Sequence, residues 1–89
     1  MLVALVCRDK PGHLQTRLDT RAAHLAYIEV TAVVKMAGPL IEDGEMRGSL
    51  IVLDVADVAA AGAWAARDPY AVAGLFRSVE INEWKKAIG

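Results

Sequence analysis

The sequence predicts an α+β fold in which helices cover one face of an antiparallel sheet. Three observations carry that expectation. An apolar run of strand length opens the chain, and an Asp-Gly turn precedes a second one. A long stretch without glycine or proline lies between them, its apolar residues three and four apart. An alanine-rich stretch then precedes a last alternating segment. The succession β-α-β-β-α-β is that of a ferredoxin-like sandwich.

The first strand is expected over Leu2 to Cys7, stopped by Arg8-Asp9-Lys10 and the Pro11-Gly12 turn signal. From about His13 to Lys35 a helix is expected, with Leu14, Leu18, Ala22, Leu25, Ile28 and Ala32 on one face. The β-branched run Val30, Thr31, Val33, Val34 softens its end. Asp43-Gly44 after Leu40-Ile41 marks a tight hairpin, because a type I′ turn needs positive φ. Gly38-Pro39 puts the first hairpin arm at a sheet edge or beside a bulge, since proline cannot donate to a ladder. The second arm, Met46 to Val55, reads as a central strand. The alanine-rich helix has Asp54 or Asp57 as candidate N-caps, and Asp68-Pro69 breaks it and opens a short helical turn toward Gly74. Phe76 to Trp84 alternates as a last strand, and the tail after it is loosely held.

At 89 residues the whole chain, 1–89, is expected to be one domain. It is 55% hydrophobic, with mean hydropathy +0.32, which is high for so small a protein. A sheet with helices on one side leaves its other face open, so association with a second copy, as a homodimer or higher homo-oligomer, is expected. Ten basic and eleven acidic residues are dispersed along the chain, which argues against a nucleic-acid partner. The opening apolar run is interrupted at Arg8-Asp9 and is too short to span a bilayer, so no membrane association is expected. The single cysteine, Cys7, excludes an internal disulfide and fits a reducing cytoplasm; within a strand, it is expected to be an inert core thiol.

Phosphate loops, zinc-ligand spacings and nucleophile elbows are absent, so no metal or cofactor is expected. Of two histidines, His13 falls at the exposed start of the long helix. His24 is more informative. On a wheel of about 100° per residue, Leu14, Leu18, Leu25 and Ile28 lie within about 80° of one another. Arg17 and His24 fall on an edge of that face, and Arg21 inside it. Such groups need partners if turned inward; otherwise His24 is a partly exposed boundary histidine, accompanied by two snorkelling arginines. Asp68 before Pro69 is a natural N-cap, and its remaining oxygen is free to orient an imidazole on a neighbouring helix. Gly48-Ser49 marks either a bulge or a close approach of a ligand to the backbone. Tyr70 is either core or a hydroxyl in a cleft, and Trp64 is packing.

The ordered set R-x3-R-x2-H, G-P-L, D-G-x-M-x-G-S and D-P-Y-x3-G resembles the YciI-like family of the dimeric α/β barrel superfamily, from about Leu2 to Lys86. The family often has proline where Glu83 precedes Trp84. The resemblance implies a ferredoxin-like monomer that pairs through its sheet. It also implies a candidate active-site pair, His24 and Asp68, with Arg17, Arg21, Gly38, Pro39, Ser49 and Tyr70 lining the same cleft. One class in that family is similar to a dehydrochlorinase acting on a chlorinated hydroxyquinol. Two functions follow as expectations. One is a small cofactor-free enzyme using His24 and Asp68 for acid–base elimination on a small aromatic or phenolic substrate. The other is a non-catalytic dimer that binds a small ligand in the same cleft.

Overall fold

The computed structural model describes every residue from Met1 to Gly89. Four strands form one antiparallel sheet: β1 Leu2–Asp9, β2 Val34–Glu42, β3 Glu45–Asp54 and β4 Phe76–Glu83, in the spatial order β2-β3-β1-β4. Three helices intervene, α1 Leu14–Thr31, α2 Val58–Arg67 and the single turn α3 Pro69–Val72. This is the predicted α+β ferredoxin-like fold. No helix is long and apolar enough to cross a membrane.

The local signals behave as the chemistry demands. Asp43 and Gly44 take φ of 51° and 77°, the pair of positive values a type I′ hairpin requires. Pro39 lies on β2, an edge strand, where its missing N–H costs no ladder bond. Asp57, rather than Asp54, caps α2, its Oδ1 accepting from the Ala60 N–H at 2.8 Å. The long helix ends at Thr31 because Ala32 turns left-handed (φ 56°) and its N–H closes on the Ile28 carbonyl. Val34 therefore opens β2 instead of extending the helix, as its β-branched side chain favours. Trp84 donates its backbone N–H to Leu2 O at 2.9 Å and so fastens the exit of β4.

The core lies between the sheet and α2. Val3, Leu5 and Cys7 from β1 and Ile51 and Leu53 from β3 meet Ala61, Trp64 and Ala65, all buried. Gly48 is required on β3 because a β-carbon there would stand 2.3 Å from the Cys7 carbonyl oxygen of the adjacent strand. The close approach at this glycine is thus from backbone, not from a ligand. The ladder of β2 against β3 also shifts register between Leu40 and Ile41, opposite Met46 and Gly48.

One expectation is overturned. The helix face of Leu14, Leu18, Leu25 and Ile28 does not form the core-facing seam: Leu18 is 47% and Leu25 43% exposed, whereas Arg17 is 2% and His24 6% exposed. The inward stripe is Leu14, Arg17, Thr20, His24, Tyr27, Ile28 and Thr31, each buried or half-buried. It is largely polar, and hydrogen bonds hold it. Tyr27 Oη donates to Trp64 O at 2.8 Å, Trp64 Nε1 donates to Thr31 Oγ1 at 2.9 Å, and Thr31 Oγ1 donates to Tyr27 O at 2.8 Å. No buried side-chain nitrogen or oxygen lacks a partner. With every polar group satisfied, the desolvation cost that disfavours this orientation is removed.

Candidate active site

Because α1 docks through that polar stripe onto α2, α3 and the end of β1, it stands off from β2. Beneath it β2 presents the small side chains of Ala37 and Pro39, the neighbours of Ile51 and Ser49 on β3. Small side chains under a raised helix leave a cavity of about 160 Å³. Its walls are Arg17, Arg21, His24, Leu25 and Ile28 of α1, Ala37, Gly38 and Pro39 of β2, Met46, Ser49 and Ile51 of β3, and Tyr70 of α3. Half of this lining is hydrophobic. A ring-sized ligand fits, since cavities of about 150 Å³ take benzene.

Asp68 connects the cavity to the second helical layer. It ends α2 and caps α3, with Pro69 at the first helical position, and its Oδ1 accepts from the Tyr70 N–H at 3.0 Å. The same oxygen, not a spare one, lies 2.7 Å from His24 Nδ1. A carboxylate only accepts, so Nδ1 carries the proton and donates it to Oδ1. In the neutral ring that fixes the tautomer and leaves Nε2 with a free lone pair. Nε2 makes no hydrogen bond, and no buried polar atom is unpaired, so it is reachable by solvent at the cavity wall. Asp68 itself is fully buried behind the imidazole and does not line the cavity.

Tyr70 fixes the ring from the side. The two rings stack with centroids 4.0 Å apart and 18° between their planes, and Phe76 meets Tyr70 edge-on at 6.0 Å. The Arg17 guanidinium carbon lies 4.7 Å from the centroid of the same phenol. Burial pushes the Tyr70 hydroxyl above its ordinary pKa, with Arg17 and Arg21 pulling it down and Asp68 pushing it further up.

Asp9 is the residue that reading the sequence treats only as a strand terminator. It takes Arg17 in a two-pronged bond, Nε to Oδ2 at 2.7 Å and one Nη to Oδ1 at 2.9 Å, and that Nη also donates to Ser49 Oγ at 2.9 Å. Burial is the largest single influence and works against the charge on Arg17, but the bond and charge of Asp9, joined by the Tyr70 phenol, together hold the guanidinium above its ordinary range. Arg17 is therefore a buried, paired cation and not a snorkelling one. Its sequence signal was slight: an acid at a strand end, eight residues before a basic residue on the following helix. The cavity's apolar walls, Leu25, Ile28, Ala37, Met46 and Ile51, also lie outside the expected set, because their place depends on how far α1 stands off the sheet.

His13 sits at the helix start with Nδ1 2.9 Å from Pro11 O and caps no backbone N–H with its side chain. Cys7 is buried in the core, its thiol pushed up to about 12, chiefly by burial and secondarily by the Asp68 charge. No group of three His, Cys, Asp or Glu side chains is arranged to hold a metal ion.

Residues 1–85 match the YCII-related domain. The chain belongs to that family. Proteins called YciI from Escherichia coli and Shigella flexneri are each 31% identical to it over 97% of this chain and 98% of theirs. Among solved structures, the 5-chloro-2-hydroxyhydroquinone dehydrochlorinase TftG of Burkholderia phenoliruptrix, in complex with 2,5-dihydroxybenzoquinone, superposes with a TM-score of 0.86. It is 34% identical, with 96% of this chain and 94% of that one covered. An antibiotic biosynthesis monooxygenase, 13% identical at a TM-score of 0.57, shares the fold alone. YCII-related sequence and ferredoxin-like architecture therefore agree over nearly the whole chain.

Proposed function

We propose that this protein is a small acid–base enzyme that eliminates a leaving group from a hydroxylated six-membered ring, with His24 transferring protons and Asp68 orienting it. One observation carries the reading: His24 Nδ1 is held at 2.7 Å by a buried carboxylate while Nε2 stays free at the wall of a ring-sized cavity. The likeness to a dehydrochlorinase seen with a dihydroxybenzoquinone supports the choice of substrate class.

In this mechanism Nε2 takes a hydroxyl proton and returns it to the ring carbon that bears the leaving group, which becomes tetrahedral. A second hydroxyl proton is then removed, and the electron pair left behind expels the leaving anion. The net loss is one proton and one anion, so no oxidant or reductant enters. Asp68 balances the imidazolium whenever His24 holds the extra proton. Gly38, Pro39 and Ser49 shape the floor on which the ring rests.

The test is chloride release from 5-chloro-2-hydroxyhydroquinone by the wild-type protein and by His24→Gln. We expect the variant to fold and to lose about 10²- to 10⁴-fold in kcat, the range for a positioned general acid–base group. Wild-type turnover in His24→Gln refutes the mechanism. A wild-type protein that binds ring compounds but never alters them makes the cavity a ligand-binding site instead.

We further propose a second copy of this chain as partner. The sheet face away from the helices carries Met36 and Leu50, both well exposed, beside Leu2, Ala4 and Val6. Pairing two such faces covers apolar surface that a chain of this size cannot hide alone. Leu50→Glu is expected to convert the species of doubled mass in sedimentation to a monomer. A wild-type protein that sediments as a monomer rules the pairing out.

A further inference from the structure

We infer that Arg21, and not Arg17, is the residue that selects an anionic ring for the cavity, Arg17 being a positioning group locked by Asp9. The inference deepens the proposed function and rests on its reading of the cavity as a site for small hydroxylated rings.

The two arginines lie one helical turn apart and both line the cavity, yet their situations are opposite. Arg17 is buried, with Nε and one Nη on the two oxygens of Asp9 and that Nη also on Ser49. Its charge is cancelled where it stands. Turning it toward a ligand strands a buried carboxylate, which is costly. Arg21 is exposed and takes part in none of the molecule's four ion pairs. No Asp or Glu lies among the twelve residues that line the cavity. One uncompensated positive charge therefore faces the ligand space, and it belongs to Arg21. Arg21 shares that cavity wall with Tyr70, the ring stacked on His24, and its charge pulls the phenol's pKa down.

The chemistry needs such a charge. When a ring hydroxyl gives its proton to His24 Nε2, the imidazolium is balanced by Asp68 and the ring oxygen is left as an anion. Arg17 keeps one Nη without a partner, but its charge is already paired with Asp9, so Arg21 is the cation whose charge is left for that oxygen. A planar guanidinium also suits a pair of adjacent ring oxygens better than an ammonium does.

Calorimetric binding separates the alternatives. The probes are 2,5-dihydroxybenzoquinone, a vinylogous acid ionised at neutral pH, and 2,5-dimethylbenzoquinone, its neutral counterpart of similar shape. Loss of a charge-assisted contact predicts that Arg21→Gln weakens the anion by about ten- to hundredfold and the neutral ring by at most about twofold. Arg21→Lys is expected to recover part of the loss, and added salt to shrink the wild-type preference for the anion. Equal affinity of Arg21→Gln and wild type for the anion overturns the assignment. So does a wild-type protein that binds the anion no more tightly than the neutral ring, or binds neither. Arg21 is surface-exposed, so the variant is expected to fold, and matching thermal unfolding verifies that. The outcomes are distinct from those for the mechanism: Arg21-dependent binding without any turnover refutes the acid–base reading and leaves this one standing.

Discussion

The two halves of the sheet are covered in different ways. Under α2, β1 and part of β3 meet small and aromatic side chains in a dry core: Leu5 and Ile51 against Ala61, Trp64 and Ala65. Under α1, the β2 edge and the neighbouring face of β3 meet arginine, histidine and empty space. One half is held by apolar contact and the other by carboxylates, Asp9 on Arg17 and Asp68 on His24, both within hydrogen-bond reach of their bases. The lesson is that the cavity is a consequence of how the helix is attached. A helix that hangs from polar bonds along one seam need not fill the space beside that seam.

The largest effect is expected where that attachment is cut. Asp9→Ala leaves the Arg17 guanidinium buried without its partner, and breaking such a pair costs about 3–5 kcal/mol. Urea denaturation should show the loss, with Asp9→Asn recovering part of it because one acceptor oxygen remains. A loss below about 1 kcal/mol would mean that Arg17 finds water, and that α1 is not held as described.

A matched pair of substitutions sharpens the comparison. Leu5→Ala removes apolar volume from the closed half and is expected to cost about 2–5 kcal/mol. Ala37→Leu adds the same groups to the half with the cavity, where room exists, and is expected to change stability by less than about 1 kcal/mol. The order reverses for ligand: Ala37→Leu should abolish binding of 2,5-dihydroxybenzoquinone, and Leu5→Ala should leave it intact in the folded fraction. Equal destabilisation by the two substitutions contradicts the contrast between the halves.

These effects also mark what the sequence could and could not convey. The hairpin at Asp43-Gly44, the edge position of Pro39 and the Asp68-Pro69 helix start follow from backbone rules that act within a few residues. The rotation of α1 does not. Periodicity ranks a leucine face above a mixed polar one, because a polar group turned inward costs energy unless partnered. The partners here come from Asp9, Ser49 and Asp68, which lie 8, 32 and 44 residues away from the groups they bind. Their positions depend on the register of β1 with β3 and on where α2 breaks, so only a three-dimensional arrangement reveals that the polar seam is satisfied. Motif resemblance pointed to His24 and Asp68 where helix geometry left His24 open, and it did not point to Asp9.

An effect confined to alkaline pH, and so absent at neutral pH, belongs to the closed half. The Cys7 thiol, lodged in the core, is pushed up from 9.0 to about 12, first by burial and then by Asp68. In the unfolded chain the same thiol ionises near its ordinary value. Between these limits the unfolded state holds fewer protons than the folded one, so stability falls as pH rises through that window. The contribution is complete below pH 9 and is lost by about pH 12. Cys7→Ala removes the titrating group, and the decline of the urea midpoint above pH 9 should become shallower than in the wild type. It should not vanish, because Tyr70 and Tyr27 are also held above their ordinary values by burial and titrate in the same direction. A Cys7→Ala curve parallel to the wild type from pH 8 to 12 would show that the thiol ionises as readily folded as unfolded. The packing of β1 against α2 would then be looser than the contacts of Leu5, Ala61 and Trp64 imply.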